Sequence, residues 1–233
     1  MITCPVCQHP NDDFAIKCSS CSSYLQERVP TLDLFSMMWR IVESPKDSLK
    51  KIILAEHKNF VLFISIFLGI AVVFALMWVH KSGDNYDNLL PLLLTGSLAG
   101  IAVGIPLLII LSSVFHLVAK VFRGKGGWKE TYAVTGWSLI PIVFSVVFLL
   151  PLELATMGLY FFSSGLSGYD LKPTVFLILT GLDGICAVWT IILISLGMTM
   201  LHRFHFVFSL ALVLVVIAAV SYFSSYIFSS FNI

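Results

Sequence analysis

Charged residues are scarce in this sequence. Asp, Glu, Lys and Arg make up 12% of its 233 residues, whereas soluble domains contain about 25%. Hydrophobic residues make up 58%, and the mean hydropathy is +0.95. This composition excludes a large soluble domain and predicts an integral membrane protein surrounded by membrane lipid. The net charge of +1 gives no indication of binding to nucleic acid, and we expect none.

Two further kinds of pattern are missing. The start of the chain has no basic segment followed by an apolar run, so we expect no cleaved signal peptide. The sequence also contains no H-E-x-x-H motif, no G-x-S-x-G motif and no usefully spaced pair of carboxylates. We therefore expect no enzymatic activity and no catalytic residues.

Cysteine is rare, and four of the five cysteines lie near the start of the chain. They form two C-x-x-C pairs, Cys4 with Cys7 and Cys18 with Cys21. Two such turns facing each other offer four thiolates, which is typical of a structural zinc site. The spacing resembles a zinc ribbon and predicts one over residues 1–28, with zinc as the cofactor. Two disulfides, iron in place of zinc, and a histidine ligand at His9 are alternatives for the same segment.

The predicted ribbon departs from the usual pattern at one position of each turn. Such turns usually carry glycine after the second cysteine, and here Gln8 and Ser22 stand there. A module this small cannot bury a large core, so metal binding has to supply much of its folding free energy, roughly 10–16 kcal/mol in sites of this kind.

Residues 29–58 are predicted to form two amphipathic helices. Ser44, Pro45 and Asp47 predict the start of the second one, with Ser44 and Asp47 as a capping box. The first helix either lies in the membrane interface, with Trp39 at headgroup depth, or packs on the inner end of the membrane domain. Its apolar side contains Leu32, Leu34, Phe35, Met38, Trp39, Ile41 and Val42.

Five apolar runs predict an all-α polytopic membrane domain over residues 59–230. The second and third runs are too long for one simple crossing. We expect the second to tilt or to continue as helix beyond the membrane. We expect the third to be a kinked span that ends near Pro151 and has a partly interfacial tail. The predicted spans are residues 60–79, 89–111, 131–151, 173–200 and 206–228.

The basic residues predict the orientation of these spans. Cytoplasmic loops carry an excess of Lys and Arg. With the N-terminus inside and the C-terminus outside, only Lys81 and Lys172 face outward. The twelve basic residues on the inner side are then Lys17, Arg28, Arg40, Lys46, Lys50, Lys51, Lys58, Lys120, Arg123, Lys125, Lys129 and Arg203. This places the cysteine head in a reducing cytoplasm, where thiolates are free to hold a metal.

Small and polar residues within the spans indicate two further features. Gly96, Gly100 and Gly104 recur at four-residue spacing, which lets a neighbouring helix approach closely, within the chain or in a homo- or hetero-oligomer. Asp183 lies near the middle of the fourth span. It is either a proton or ion site or a protonated side chain hydrogen-bonded to another helix. Glu153 is expected near the outer membrane surface. His202 and His205 either form a metal-binding pair or, as we expect, face lipid headgroups.

The basic loop between the second and third spans carries a family resemblance. Its sequence runs Arg123-Gly-Lys-Gly-Gly-Trp-Lys-Glu-Thr-Tyr-Ala-Val-Thr-Gly136 and is followed by Ser138-Leu-Ile-Pro141. This pattern, with Ser44-Pro45-Lys46 before the first span, resembles the Yip-domain family (Ypt/Rab-interacting membrane proteins) over residues 35–228. The resemblance implies five spans with a cytoplasmic N-terminus. A zinc-ribbon head is similar to bacterial and archaeal members, which implies the cytoplasmic membrane of a prokaryote.

Two hypotheses of function follow from these features. The first is a non-enzymatic scaffold that recruits a cytoplasmic protein through its zinc ribbon. For such a scaffold the basic loop is a candidate docking surface, with Gly124, Gly126 and Gly127 allowing a tight reversal; its residues are Arg123, Lys125, Gly126, Gly127, Trp128 and Lys129. The second is a transporter component that uses Asp183 as an intramembrane site. Eukaryotic relatives bind prenylated Rab-type GTPases, but no residue of this sequence indicates that surface.

Overall fold

The structure is a computed structural model that describes residues 1–27 and 29–230, with only the backbone of Phe228. Arg28, counted above among the inner basic residues, lies outside the described residues. The chain is mostly helical and divides into two compact units, Met1–Asn59 and Phe60–Ile233.

The first unit begins with a small β-hairpin. Strand β1 (Ile2–Thr3) pairs antiparallel with β2 (Pro10–Asn11), and Ile2 lies opposite Asn11. An isolated antiparallel bridge between Lys17 and Tyr24 repeats the arrangement around the second cysteine pair. The two bridges therefore hold the two predicted cysteine turns.

Two helices complete the first unit. Helix α1 (Leu34–Glu43) is capped by Asp33, whose side chain accepts a hydrogen bond from the Ser36 N–H at 2.8 Å. Helix α2 (Pro45–Leu54) has Ser44 as N-cap and Pro45 at its start, as predicted. The predicted capping box is wrong, because Ser44 makes no side-chain cap and its N–H instead bonds to Arg40 O at the end of α1.

One stripe of α1 is apolar and exposed. Phe35 is 80% exposed and Trp39, one turn later, is 71% exposed, and Val42 extends the same stripe. Met37 and Ile41 occupy the buried side of the helix. An exposed stripe with two aromatic rings is the pattern of a helix that lies in a membrane interface.

The second unit opens with two long helices. Helix α3 (Val61–Val79) is followed by a short 3₁₀ turn and then by α4 (Leu89–Val121). Helix α4 is continuous over 33 residues and contains Pro106. At ~1.5 Å per residue it is longer than a ~30 Å hydrocarbon core, as both the predicted tilt and the predicted continuation beyond the membrane require.

The third apolar segment is broken into short pieces. It comprises α5 (Trp128–Trp137), α6 (Ile140–Phe144), a π-helical turn over Ser145–Leu149, α7 (Leu150–Met157) and a 3₁₀ turn over Gly158–Phe162. Pro141 and Pro151 each lie in the first turn of a helical piece, where a missing N–H leaves no bond unmade. Helical structure continues beyond Pro151 to Phe162, so the helical segment is longer than the predicted span, whose end near Pro151 stays a prediction.

Three helices follow. The four-residue α8 (Gly168–Leu171) starts with a capping box between Ser167 and Asp170. It leads to α9 (Pro173–His202) and α10 (Phe206–Ser230). Five segments of the described chain are long and apolar enough to cross a membrane, which confirms the predicted number. They are Val61–Val79, Leu89–Val121, Trp128–Phe162, Pro173–His202 and Phe206–Ile227.

Candidate functional sites

The four N-terminal cysteines meet in one cluster. Their sulfur atoms all lie within 4.8 Å of one another. Cys4 Sγ is 3.6 Å from Cys21 Sγ, and Cys7 Sγ is 3.5 Å from Cys18 Sγ. Four sulfurs at about 2.3 Å from a tetrahedral zinc are about 3.8 Å apart. The donor set therefore fits a zinc ion, and all five cysteines of the chain are free rather than paired in disulfides.

The two cysteine turns are equivalent in their backbone hydrogen bonds. In the first, Gln8 N–H bonds to Cys4 O at 2.9 Å and Cys4 N–H to His9 O at 3.0 Å. In the second, Ser22 N–H bonds to Cys18 O at 3.0 Å, and Cys18 N–H bonds to Ser23 O at 2.8 Å. Each turn therefore presents two sulfurs from the same local geometry.

The thiols of this cluster differ in acidity. The hydrogen bond with the Ser23 hydroxyl, 3.1 Å away, is the main cause that lowers the pKa of Cys4 to about 6. The Cys21 N–H lowers the pKa of Cys18. The His9 N–H acts to lower the pKa of Cys7, but burial and the neighbouring cysteines raise it to about 11. Four adjacent thiolates repel one another, so a cation is what allows all four to ionise together.

Asn11 supports the cluster, and the sequence analysis missed it. Its side chain is buried, and its Nδ2 donates to His9 O at 2.8 Å and to Cys18 Sγ at 3.5 Å. Its Oδ1 accepts from Ser19 N–H at 2.9 Å. Outer groups of this kind orient metal ligands and stabilise thiolate charge. The only signal in the sequence is a polar residue between the two pairs, which does not distinguish Asn11 from its neighbours.

The basic loop begins with a Schellman turn at the end of α4. Gly124 N–H bonds to Ala119 O at 2.8 Å, and Arg123 N–H bonds to Lys120 O at 2.9 Å. Arg123 adopts the left-handed conformation, with φ of 62°. The left-handed residue of this reversal is therefore an arginine, and none of Gly124, Gly126 and Gly127 has positive φ.

The glycines of this loop serve close packing instead. Gly124 and Gly126 are buried. A Cβ on Gly124 would lie 2.6 Å from His202 Nδ1, and one on Gly126 would lie 2.9 Å from Leu201 Cδ1. Gly127, by contrast, is exposed and is the N-cap of α5. Of the predicted docking residues, the exposed ones are Arg123, Lys125, Gly127, Trp128 and Lys129.

A buried histidine lies beneath the loop. His202 is 2% exposed, and its Nε2 is 3.2 Å from Thr131 Oγ1, while His116 Nδ1 is 3.4 Å from the same oxygen. His202 therefore ties the end of α9 to the start of α5. The expectation that it faces lipid headgroups is wrong.

The glycine stripe of α4 lies against α3. A Cβ on Gly100 would lie 2.6 Å from Ile70 Cα, and one on Gly96 would lie 2.9 Å from Phe74 Cζ. Gly69 of α3 faces Gly100 and Gly104 so closely that a side chain there would overlap their backbones. The glycine stripe of α4 therefore packs against α3 of the same chain. Gly69 is its partner there, and no glycine repeat in α3 predicts this contact.

Asp183 lies beside the third apolar segment. Ser145, in the π-helical turn, donates its hydroxyl to Asp183 Oδ1 at 2.6 Å. Glu153 and Asp183 line the same cavity. Glu153 is 2% exposed, because the helix continues beyond Pro151 and turns it inward; its expected position near the outer membrane surface stays a prediction.

Two comparisons with known proteins found similar sequences. The sequence profile of the Yip1 domain family matches residues 39–228. An uncharacterized protein of the archaeon Methanocaldococcus jannaschii is 27% identical over 109 residues, which cover 46% of this chain and 77% of the archaeal protein. No solved structure matches. The match with the family profile includes all five apolar segments.

Proposed function

The chain belongs to the Yip1 domain family, and on this premise we propose that it is a non-enzymatic scaffold of a prokaryotic cytoplasmic membrane. In this proposal the N-terminus is cytoplasmic, and the four-cysteine head binds zinc and recruits a cytoplasmic protein. The positive-inside rule supports the orientation, and the archaeal relative supports the prokaryotic setting.

The observation that carries the proposal is the closed set of four sulfurs. Cys4, Cys7, Cys18 and Cys21 have their sulfur atoms within 4.8 Å of one another, which fills a tetrahedral site with protein ligands. Catalytic zinc sites keep one position open for water or substrate. A closed site instead holds the shape of the head, and a rigid small head is suited to binding another protein.

The basic loop is a second, separate candidate surface for recruiting a protein. Lys125 and Lys129 are exposed, and so is Trp128, whose ring stacks on Tyr132 with centroids 5.3 Å apart. Aromatic and basic side chains are enriched where proteins bind each other. The charge of this surface favours a partner with an acidic patch.

The experiment compares partners captured by crosslinking in membranes. We expect the variant Cys4→Ser plus Cys7→Ser to lose both its zinc, measured by elemental mass spectrometry, and its crosslinked partner. Cys186→Ser is the matched control, since Cys186 lies in α9 and is not part of the cluster. The same partner on the zinc-free variant would show that the head does not recruit it.

Charge reversal tests the loop separately. Lys125→Glu plus Lys129→Glu leaves the buried Gly126 unchanged, so we expect normal insertion and weaker crosslinking. Lys172→Glu, an exposed change beside α8, is the control. Substitution of Gly126 is not a useful test, because a side chain there would collide with Leu201.

A transporter component is the second candidate function. The feature that favours it is the pair of acidic side chains, Asp183 and Glu153, inside the membrane segments. Proton flux into liposomes that contain a pH-sensitive dye tests this role. Asp183→Asn is expected to abolish the flux, and equal flux with and without the protein would exclude proton transport.

A further inference from the structure

A cavity of about 290 Å³ lies among α3, the third apolar segment and α9. One part of its wall is aromatic, with Phe74, Trp78 and Phe161. Another part is acidic, with Asp183 and Glu153. Such a mixture differs from the purely apolar contacts between membrane helices, because a few converging polar groups in an otherwise apolar cavity are typical of a ligand site.

One carboxyl oxygen in the acidic part of the wall lacks a hydrogen bond within the described part of the chain. Asp183 Oδ1 accepts a hydrogen bond from Ser145, and Glu153 lines the same cavity. Glu153 is almost completely buried, yet its Oε1 has no hydrogen-bond partner among the described residues. A buried oxygen without a donor destabilises the protein by roughly 1–3 kcal/mol. A ligand with N–H or O–H donors would remove that penalty.

The charge of the cavity favours a cationic ligand. No lysine, arginine or histidine is among the described residues that line it. A carboxylate in a low-dielectric region is stabilised by a cation, and the faces of aromatic rings also attract cations. A single proton shared between the carboxyl groups of Asp183 and Glu153 supplies one hydrogen-bond donor, and Glu153 Oε1 would still have none. An ammonium group has three N–H donors and can supply both.

The cavity opens through the side of the helix bundle. Two of its lining residues, Ala75 and Ala187, are exposed, and both belong to membrane helices. On α9 a Cβ at Gly181 or Gly184 would meet nothing within 4 Å. An amphiphile in the bilayer therefore reaches the carboxyl groups laterally, with its apolar chain left among lipid.

We propose that this cavity binds a primary ammonium group carried on an apolar chain. The ammonium group lies between Glu153 and Asp183, and the first carbons of the chain lie against Phe74 and Phe161. The headgroup of an aminophospholipid and a free long-chain amine share this chemistry. The site does not depend on recruitment by the head, so failure of either proposal leaves the other standing.

The test is binding to the purified full-length protein in detergent, measured by native mass spectrometry. Dodecylamine is compared with dodecanol, and phosphatidylethanolamine with phosphatidylglycerol. In at least one of these two pairs, we expect the molecule with an amine to bind more tightly than the molecule without one. Binding of dodecylamine alone would identify a free amine as the ligand, and binding of phosphatidylethanolamine would identify a lipid headgroup.

Two kinds of variant locate the binding. Glu153→Gln is expected to weaken dodecylamine binding about tenfold or more, since a hydrogen bond to a charged group contributes that much. Ala187→Leu narrows the opening without touching the acids, and it also is expected to weaken binding. Asp87→Asn is the control, because Asp87 is an exposed carboxyl outside the cavity.

The outcomes separate clearly. Equal affinity for dodecylamine and dodecanol would overturn the proposal. So would an unchanged affinity for dodecylamine in both single variants, Ala187→Leu and Glu153→Gln. If Glu153→Gln does not fold, Ala187→Leu alone decides, since residue 187 is exposed and accepts a larger side chain without overlap in the core. Its unchanged affinity for dodecylamine would exclude this cavity.

Discussion

Gln8 and Ser22 occupy equivalent positions in the two cysteine turns, and both adopt the left-handed backbone conformation. Their φ values are 58° and 60°. Each N–H closes its turn on the carbonyl of the first cysteine of its pair. Because a side chain in this conformation clashes with its own carbonyl oxygen, each residue destabilises its turn by roughly 1–2 kcal/mol relative to an unstrained position.

Glycine at these positions is expected to strengthen zinc binding. Gln8→Gly and Ser22→Gly each remove the strain but increase the entropy lost on folding, so a net gain of about 0.5–1 kcal/mol remains. The apparent zinc affinity of each variant should rise roughly two- to fivefold. Competition with a chromogenic chelator measures it. Ser20→Gly is the control, since Ser20 does not have positive φ, and an equal gain there would contradict the strain argument.

Replacement of Asn11 is expected to weaken zinc binding. Asn11→Ala removes the donor to Cys18 Sγ and leaves His9 O and Ser19 N–H without their side-chain partner. Supporting groups of metal ligands typically change metal affinity by about 10–100-fold. The same chelator competition measures the loss. Asn11→Asp retains the acceptor for Ser19 but brings a negative charge to Cys18, so it should bind zinc at least as weakly as Asn11→Ala.

A side chain on Gly100 is expected to destabilise the membrane domain. A Cβ there would lie 2.6 Å from Ile70 Cα, so Gly100→Ala forces α3 and α4 apart. Overpacking of this kind lowers the free energy of unfolding by roughly 1–3 kcal/mol. Gly181→Ala is the matched control, because nothing lies within 4 Å of its Cβ position. In detergent, the midpoint temperature of thermal unfolding should be higher for Gly181→Ala than for Gly100→Ala. Equal midpoints would contradict this packing.

The features predicted correctly from the sequence are those that depend on short-range patterns. The number of apolar helices follows from run length, and the continuation of α4 follows from a run without breaks. The four cysteines also come together as their spacing predicts. In each case the pattern and the structure that it specifies lie within the same few turns of chain.

The features that were missed depend on contacts between distant segments. The burial of Glu153 against other segments was missed because Pro151 was expected near the end of a span, whereas it lies in the first turn of α7. The approach of Glu153 to Asp183 also depends on the π-helical turn, which has no sequence signature of its own. Arg123 was missed as the left-handed residue because the nearby glycines, which sequence rules favour there, are needed for contact with Leu201 and His202.

The contact between the turn that follows α3 and the loop that precedes α8 should weaken in acid. Asp84 accepts hydrogen bonds from the N–H and the hydroxyl of Ser164, and these bonds lower the pKa of Asp84 below its ordinary value. The stabilisation is therefore complete above an ordinary Asp pKa of about 3.9, and it is lost as the pH falls through the lower pKa of the folded state.

Hydrogen exchange at the Ser164 amide measures this effect. The protection factor, corrected for the intrinsic rate, should be constant near neutral pH and should fall below about pH 4. Asp84→Ala should remove the pH dependence, whereas Asp87→Ala, a change at a neighbouring exposed carboxyl, should retain it. Protection that persists in Asp84→Ala would show that Asp84 does not hold the Ser164 amide.

The proposed orientation predicts which lysines react from outside. Lys172 and Lys125 are both exposed but lie at opposite ends of membrane helices, Lys172 directly before α9 and Lys125 in the loop between α4 and α5. A membrane-impermeant amine reagent applied to right-side-out vesicles should modify Lys172 and spare Lys125. Lys172→Arg keeps the charge and should remove the label at that position. In permeabilised vesicles both lysines should react, which controls for accessibility. Modification of Lys125 with protection of Lys172 in sealed vesicles would show that the orientation is opposite to the proposed one. The cysteine head would then lie in an oxidising compartment, where it could not recruit a cytoplasmic protein.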